Sequence, residues 1–443
     1  MKIRRFAVVY WVALMAVMSG QVPARADDTE VIAQARTLLK LLEAEKYEEF
    51  VAAGDETMRA KFSAMQAAQL WKMLEFQFGK YQGEESAELK IVSEYQSVQF
   101  TLRFERATQQ VRIVLDKNGR MAGLWLDKNQ PLAAYEPPDY VRQDSFREEE
   151  VTVTAGKYPL GGTLTIPVDA KRCAGVVLVH GSGAHDRDES VGAQKPFRDL
   201  AWGLASRGIT VLRYEKRTKA HPRALKAEDW RLADVTIDDA LAAAKLLRAR
   251  PEIDPRRIYV IGHSLGGIAA PYIAQQDKEL AGIIIMAGSA RSILDVVLDQ
   301  VEYLAQLDGE VTAEEQEGIE QTREATKAIR EGRLDEVTGQ WHDAAGLFQE
   351  LHKLNPPAAA AQLKRPILIL QGGRDYQVTA ADMALWKQHL AGRTNVKIRD
   401  FAKLNHLFAA GEGPAGPEEY QEAGHVDAEV IDTISKWIAS QRR

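Results

Sequence analysis

The stretch Ile258-Tyr-Val-Ile-Gly-His-Ser264-Leu-Gly-Gly267 decides the fold. Four apolar residues predict a buried strand, which runs directly into a Gly-x-Ser-x-Gly turn and then a helix. A serine in such a turn occupies a tight, strained backbone, and the glycines two positions to either side permit the close backbone approach. The stretch therefore predicts an exposed nucleophile, Ser264, where a strand ends.

The same turn has two other interpretations, a phosphate cradle or a glycine-rich turn without a chemical role. It lacks the lysine of a P-loop and the glycine spacing of a dinucleotide-binding fingerprint. Pro271 falls inside the expected helix, where it would remove a backbone hydrogen bond or bend the axis. Because Pro271 follows the turn, the prediction for Ser264 stands.

A serine hydroxyl is a weak nucleophile, so a base must take its proton and a carboxylate must orient that base. Downstream, an apolar run ends in Gln-Gly-Gly-Arg-Asp375, and the next is followed by Leu-Asn-His406-Leu-Phe. The carboxyl ends of parallel strands meet at one edge of a sheet, the edge that also presents Ser264. We therefore expect Asp375 to be the acid and His406 the base.

Two residues compete with this pair. His425 also lies downstream, just before the final helix, but no strand directly precedes it. Asp400 lies along a strand rather than at the tip of a turn. Taken singly, Asp375 could cap its turn and His406 could be an ordinary loop histidine, but their combination with the serine turn favours catalytic roles.

A tetrahedral oxyanion needs backbone N–H donors, usually one directly after the nucleophile and one after the third strand of the sheet. Leu265 is expected to supply the first. An apolar run ending at Val179 leads into His-Gly-Ser182-Gly, so the Ser182 amide is expected to supply the second, with a plain glycine turn as the alternative.

The segment His185-Asp-Arg-Asp-Glu189 has the residue types of a metal site. Adjacent acids in a loop more often form a solvated or salt-bridged rim, so we expect no metal here, and no other cofactor. Arg187 or Asp188 could instead shape the mouth of the site.

Strands and helices alternate around these motifs. The central strands are near-continuous apolar runs, typical of parallel strands covered on both faces, and amphipathic helices lie between them. The pattern predicts a doubly wound, mostly parallel α/β sheet. Eight strands are expected: 151–154, 162–166, 175–179, 210–214, 258–261, 282–286, 366–370 and 396–401. Residues 291–362 exceed an ordinary crossover and predict an inserted helical cap over the site, or alternatively a helical decoration packed away from it.

A second region precedes this sheet. Residues 29–80 carry apolar positions at helical spacing and predict two or three helices, and Glu88 to Asp127 alternate as in a small antiparallel sheet. Residues 27–135 are therefore expected to form a small α+β domain of unknown role, joined through a proline-containing stretch to a domain spanning 140–443.

The N-terminus predicts export. Lys2, Arg4 and Arg5 precede an apolar run of 13 residues and the small-residue site Ala24-Arg-Ala26. This run is shorter than the roughly 20 residues of a spanning helix, so residues 1–26 are interpreted as a cleaved signal peptide of a periplasmic or secreted protein without stable membrane insertion. With a single cysteine, Cys173, no intrachain disulfide can form.

The charge and the ordered motifs narrow the function. A formal net charge of −6 gives no general attraction to nucleic acid. Over roughly residues 145–443 the chain resembles a bacterial α/β-hydrolase family of exported carboxylesterases, related to the prolyl oligopeptidase and serine aminopeptidase branch. The resemblance rests on His180-Gly-Ser-Gly, Asp186-Arg-Asp-Glu, Lys195-Pro-Phe-Arg-Asp, Val211-Leu-Arg-Tyr-Glu-Lys-Arg, Gly262-His-Ser-Leu-Gly-Gly, Gly372-Gly-Arg-Asp and Leu404-Asn-His-Leu-Phe.

This resemblance implies the triad Ser264, Asp375 and His406, an oxyanion hole from the Leu265 and Ser182 amides, and short-chain acyl esters of small molecules as substrates. A serine peptidase acting on short peptides or cell-wall fragments is the alternative activity. A third hypothesis gives residues 27–135 a binding role beside the hydrolase. The sequence leaves the oligomeric state open.

Overall fold

The computed structural model describes residues 28–92, 95–131, 135–221, 230–338 and 341–441. The predicted signal peptide lies outside these ranges. The chain divides into two compact units between Glu136 and Pro137. Among the described residues, no helix combines the length and apolar character needed to cross a membrane.

The first unit packs helices against one face of an antiparallel sheet whose strands follow one another in chain order. Its core joins side chains such as Trp71 of the last helix with Phe100 and Phe104 of the sheet. The helices are α1 (Asp28–Glu43), α2 (Tyr47–Ala52), α3 (Glu56–Lys61) and α4 (Ala64–Phe78), and the strands are β1 (Tyr81–Val92), β2 (Tyr95–Phe104), β3 (Ala107–Leu115) and β4 (Met121–Pro131).

Four helices stand where two or three were expected, and the sheet begins earlier, at Tyr81. The start of α4 shows a local cause: Ser63 and Gln66 form a capping box, which satisfies amides that the first turn leaves without intrahelical partners. The turn before β4 is also specified locally, because Asp116 accepts the amide protons of Asn118 and Arg120.

The second unit contains an eight-stranded sheet, as predicted. Its order is β12-β11-β10-β9-β7-β8-β6-β5, parallel from β12 to β8, with β6 and β5 antiparallel at the other edge. The strands are β5 (Phe146–Ala155), β6 (Tyr158–Pro167), β7 (Cys173–Val179), β8 (Thr210–Tyr214), β9 (Ile253–His263), β10 (Gly282–Met286), β11 (Ile367–Gly372) and β12 (Val396–Phe401).

Helices cover both faces of this sheet, and one hydrophobic cluster forms on each face. Alternate residues of β9 show the division: Val260 belongs to one cluster and Tyr259 to the other. Helix α8 continues through Pro271. The helices outside the insertion are α5 (Pro196–Ala205), α6 (Arg217–Ala220), α7 (Asp238–Arg248), α8 (Leu265–Gln276), α13 (Ala380–His389) and α14 (Ala428–Ser440).

Between β10 and β11 the chain forms helices instead of a short crossover. They enclose a small apolar cluster of their own, which includes Leu294, Ile329 and Val337. The longest of them begins with a Thr312–Glu315 capping box. These helices, called the cap below, are α9 (Ile293–Gln306), α10 (Ala313–Glu331), α11 (Ala345–His352) and α12 (Pro356–Ala361).

Candidate active site

Ser264 lies where β9 ends and α8 begins, in a backbone conformation that side-chain-bearing residues seldom adopt. Its φ is 52° and its ψ is −114°. The turn needs glycine on both sides: a Cβ on Gly262 would lie 2.0 Å from the Gly266 carbonyl oxygen, and one on Gly266 would lie 2.1 Å from that of Val179. Ser264 also donates its amide proton to the Met286 carbonyl at 2.9 Å, which ties the turn to β10.

His406 and Asp375 lie together at the same edge of the sheet. His406 Nδ1 is 2.8 Å from Asp375 Oδ2, and both side chains are buried. Asp375 Oδ1 accepts the amide protons of Gln377 and Val378 at 2.8 and 2.9 Å. Because backbone amides fix its carboxylate, Asp375 orients the imidazole of His406 through Nδ1.

Main-chain contacts join the loops that carry these two residues. Gly373 donates to the Phe401 carbonyl at 2.7 Å, and Arg374 donates to that of Leu404 at 2.9 Å. A Cβ on Gly372 would lie 2.4 Å from the Leu404 carbonyl oxygen, so only glycine permits this approach. Main-chain contacts therefore hold the loops of Asp375 and His406 in register.

His263, the residue before Ser264, connects the serine turn to the loop that carries His406. The His263 ring lies 4.8 Å from the His406 ring between centroids, and its Nε2 donates to the His406 carbonyl oxygen at 3.0 Å. On the other side, a Cβ on Gly181 would lie 3.2 Å from Cβ of Ser264. The serine turn thus touches both the histidine loop and the turn after β7.

The two expected oxyanion donors belong to the start of α8 and to the turn after β7. Leu265 is the first residue of α8, and amides in a first helical turn have no intrahelical acceptor. In the turn after β7, the Gly181 amide donates to Glu189 Oε1 at 2.6 Å. The next residue is Ser182, whose amide is the second expected donor.

Three buried charged or ionisable side chains were not predicted as part of the site: Glu189, His263 and Lys216. Burial opposes the charged form of Glu189, yet the charge of His263 lowers the pKa of that carboxyl to about 2. Burial likewise opposes the charged form of His263, but Glu189 raises its pKa above the ordinary value. Burial lowers the pKa of Lys216, which donates to the Gly181 carbonyl, to about 8.

The competing residues lie in other contacts. His425 Nδ1 is 3.1 Å from Asp199 Oδ1, so it pairs with a different carboxylate. Asp400 pairs with Lys387 at 2.7 Å in an exposed contact.

The acidic segment after Ser182 is salt-bridged rather than solvated. Arg187 contacts Glu150 and Glu215, and Asp188 is buried against Arg213. Within the described residues, no three His, Cys, Asp or Glu side chains cluster as a metal site requires.

The cap contacts the acid loop. Tyr303 of α9 stacks on Tyr376 with 5.2 Å between ring centroids and 9° between ring planes, and Tyr376 directly follows Asp375. The Tyr303 hydroxyl also donates to the Ala415 carbonyl at 2.8 Å. The insertion therefore contacts the loop that carries Asp375.

Comparison with known proteins places this fold and site in a family. Residues 176–427, more than half of the chain, match the model described as the alpha/beta hydrolase family. The chain belongs to the α/β-hydrolase family and is a hydrolase, as the sequence predicts. Residues 35–124 match a family described as a protein of unknown function, DUF3887.

A relative defines the class of hydrolase more closely. Esterase EstD of Thermotoga maritima is 37% identical over 400 residues, covering 90% of this chain and 92% of that enzyme. With this similarity over nearly the whole length, the chain is a carboxylic ester hydrolase of the family.

Solved structures show more distant likenesses. A hyperthermophilic esterase from Pyrobaculum calidifontis is 17% identical, with a TM-score of 0.44 over 66% of this chain and 85% of that one. Est1E from Butyrivibrio proteoclasticus is 15% identical, with a TM-score of 0.43 over 66% and 98%. The family model and EstD, rather than these low scores, identify the chain.

Proposed function

We propose that the protein hydrolyses short-chain acyl esters of small alcohols through a Ser264 acyl-enzyme, with His406 as base and Asp375 as the carboxylate that orients it. The observation that carries the proposal is the 2.8 Å contact between His406 Nδ1 and Asp375 Oδ2, at the sheet edge where Ser264 is held at φ 52°. The preference for short acyl chains follows from the family resemblance of the sequence.

The chemistry is two-step acyl transfer. His406 Nε2 takes the Ser264 hydroxyl proton as Oγ attacks the ester carbonyl carbon, and the resulting oxyanion is stabilised by the Leu265 and Ser182 amides. Collapse breaks the acyl–oxygen bond, and the imidazolium donates its proton to the departing alcohol. Water then attacks the acyl-enzyme with the same histidine as base, which frees the acid and restores Ser264.

Replacement of the nucleophile tests this assignment. Ser264→Ala is expected to lower kcat for p-nitrophenyl butyrate by at least about 10³-fold, because removal of a triad member leaves only binding and oxyanion stabilisation. A fluorophosphonate should label the wild type at Ser264. Ser182→Ala is the matched control: it removes a hydroxyl from the same site but keeps the backbone amide, so kcat should stay within about threefold. Undiminished turnover by Ser264→Ala would refute the assignment.

Substrate panels separate an esterase from a serine peptidase. The proposal predicts that kcat/KM falls as the acyl chain of p-nitrophenyl esters grows from acetate to dodecanoate, and that aminoacyl-p-nitroanilides are cleaved far more slowly than acetate or butyrate esters. Equal or better cleavage of the anilides would favour the peptidase, and a maximum at long chains would contradict the short-acyl preference.

We further propose that the enzyme is exported to the periplasm or secreted. This rests on the basic start, the apolar run and the Ala24-Arg-Ala26 site of the sequence. Expression in a bacterium that carries out Sec export should yield a periplasmic or extracellular protein whose N-terminus is Asp27. An intact Met1 and activity confined to the cytoplasm would contradict the proposal.

A further inference from the structure

Glu189 connects two parts of the site that are separate in sequence. Its side chain is buried, with Oε1 accepting the Gly181 amide proton at 2.6 Å and Oε2 lying 2.9 Å from His263 Nδ1. Glu189 itself has a φ of 51°, a left-handed backbone conformation that is unfavourable for a residue with a side chain. Strain of this kind persists where the surrounding structure imposes it, and it clusters at functional sites.

The contacts of His263 determine its protonation state. Its Nε2 faces the His406 carbonyl oxygen at 3.0 Å, and because a carbonyl only accepts, Nε2 must carry a proton. Its Nδ1 faces a carboxylate oxygen at 2.9 Å in an ion pair without a linear hydrogen bond. A carboxylate at that distance favours a proton on Nδ1 as well, and therefore favours the imidazolium form of His263. The raised pKa of His263 agrees with this state.

A second charged side chain contacts the turn after β7. Lys216, also buried, donates to the Gly181 carbonyl oxygen, so charged side chains hold Gly181 through both its amide and its carbonyl group. The next residue is Ser182, whose amide is the proposed oxyanion donor. Rotation of the peptide plane after Gly181 would move that amide.

We propose that Glu189 is a positioning residue, which holds the oxyanion turn through the Gly181 amide and the catalytic histidine loop through His263. It touches neither the substrate nor the reacting atoms. The inference rests on the proposed function, since it assigns Glu189 a task only if Ser182 and His406 have theirs. His263, the residue at the first x of the Gly-x-Ser-x-Gly turn, then links Glu189 to His406, because it contacts both.

Substitutions at Glu189 separate positioning from simple stabilisation. Glu189→Ala frees the Gly181 amide and leaves His263 uncompensated, so kcat for p-nitrophenyl butyrate should fall by at least about 30-fold with KM within twofold, since misplacement of about 1 Å can cost 10²-fold. Glu189→Asp keeps the charge but is one methylene shorter and cannot span both partners. We expect kcat to fall at least about tenfold for this variant. Glu189→Asp takes the place of Glu189→Ala in the test if Glu189→Ala does not fold.

The isosteric variant Glu189→Gln is expected to retain much of the activity that Glu189→Ala loses. In Glu189→Gln the amide oxygen can still accept from Gly181, and the amide nitrogen can donate to Nδ1 of a neutral His263, whose Nε2 proton still reaches His406. We expect at least about a fifth of the wild-type kcat, because the hydrogen bond from the Gly181 amide and that from His263 Nε2 to the His406 carbonyl can both persist. His263→Ala should lower kcat like Glu189→Ala, and the double variant should be no slower than the slower single, because both act along one line of contacts.

The chain offers a matched control in Asp199. This carboxylate is likewise buried, accepts a backbone amide proton, that of Val426 at 2.9 Å, and pairs with a histidine, His425. Asp199→Ala should lower the thermal unfolding midpoint as Glu189→Ala does, while kcat stays within twofold.

The outcomes distinguish a failure of the positioning role of Glu189 from a failure of the proposed triad. If the wild type hydrolyses esters and labels at Ser264, but folded Glu189→Asp and His263→Ala keep kcat within threefold of wild type, the positioning role is overturned and the triad stands. A loss of kcat in Asp199→Ala equal to that in Glu189→Ala would also overturn it, as a general effect of destabilisation. If the wild type neither hydrolyses esters nor labels at Ser264, the proposed triad itself fails.

Discussion

Asp375→Asn tests the triad with almost no change in shape. In the wild type, Asp375 Oδ2 accepts from both His406 Nδ1 and Gln371 Nε2, at 2.8 and 2.9 Å, while Oδ1 accepts from the Gln377 and Val378 amides. An asparagine must place its NH₂ group against one of these pairs of donors. The two backbone amides cannot reorient, so the NH₂ group is expected to take the Oδ2 position and face His406.

The cost to catalysis follows from that geometry. To meet an NH₂ group, His406 must present a bare Nδ1 and keep its proton on Nε2, which cannot then accept the serine proton. A triad locked in this wrong tautomer loses about 10⁴-fold in kcat, or about 5 kcal/mol of transition-state stabilisation. Folding loses less: one donor left without an acceptor costs about 1–3 kcal/mol, against a total of about 5–15 kcal/mol for a typical protein.

Steady-state hydrolysis of p-nitrophenyl butyrate measures the first loss, and urea unfolding measures the second. Asp400→Asn is the matched control, because Asp400 is the other candidate acid but forms an exposed ion pair with Lys387 at 2.7 Å. Its kcat should stay within about twofold, as exposed pairs contribute little. A kcat above one tenth of wild type in Asp375→Asn, or an equal loss in Asp400→Asn, would refute the assignment.

Three further outcomes are expected. The hydrogen bond to Asp199 raises the pKa of His425 above 6.5 in the folded protein; this contribution to stability is therefore complete below about pH 6.5 and is lost as pH rises through the folded pKa. His425→Gln should lower the unfolding midpoint at pH 5.5 more than at pH 8.5, and an equal deficit at both would contradict the pairing. Tyr303→Phe removes the bond to the Ala415 carbonyl and should cost about 0.5–1.5 kcal/mol in urea unfolding with kcat unchanged; a fall in kcat without destabilisation would contradict a purely anchoring role. Gly266→Ala sets a methyl group 2.1 Å from a β7 carbonyl oxygen and should abolish soluble expression, whereas a folded, active variant would contradict the close approach.

The eight-stranded sheet was predictable because its signals are local. The central strands are uninterrupted apolar runs, and the Ser264 turn carries its glycines at fixed spacing. Asp375 and His406 followed from a topological rule, since parallel strands bring their carboxyl ends to one edge. What remained undetermined was which carboxylate faces which histidine: His425 also has a buried carboxylate partner, and only the fold shows that it is Asp199.

The first unit shows where periodicity fails. Helices α2 and α3 have six residues each, less than two turns, too few for an apolar face to repeat. Strand β1 was expected only from Glu88, because register shifts between Tyr81 and Gly83 and between Glu84 and Ser86 interrupt the alternation at its start. Both errors concern boundaries and short elements, not the class of the unit.

Glu189 was missed for a different reason. It ends a run of alternating charges, and such a run in a loop usually lies in solvent or in salt bridges. Here Arg187 and Asp188 follow that expectation in part, whereas the positive φ of Glu189 turns its side chain into the interior. The partners that compensate it, His263 and the Gly181 amide, come from other strand ends, so no local pattern in the sequence marks the contact.

Burying Glu189, His263 and Lys216 together is costly, because each charged group loses its hydration. Ion pairs of this kind seldom stabilise more than well-packed hydrophobic residues of the same volume would. Under the proposed role, Glu189 and Lys216 fix a direction through their hydrogen bonds to Gly181, whereas aliphatic side chains would let the Gly181 peptide groups rotate. The proposed oxyanion donor, the Ser182 amide, belongs to a loop. Such a donor stabilises an oxyanion only if it already points at it before the reaction begins, so the orientation of this amide must be fixed.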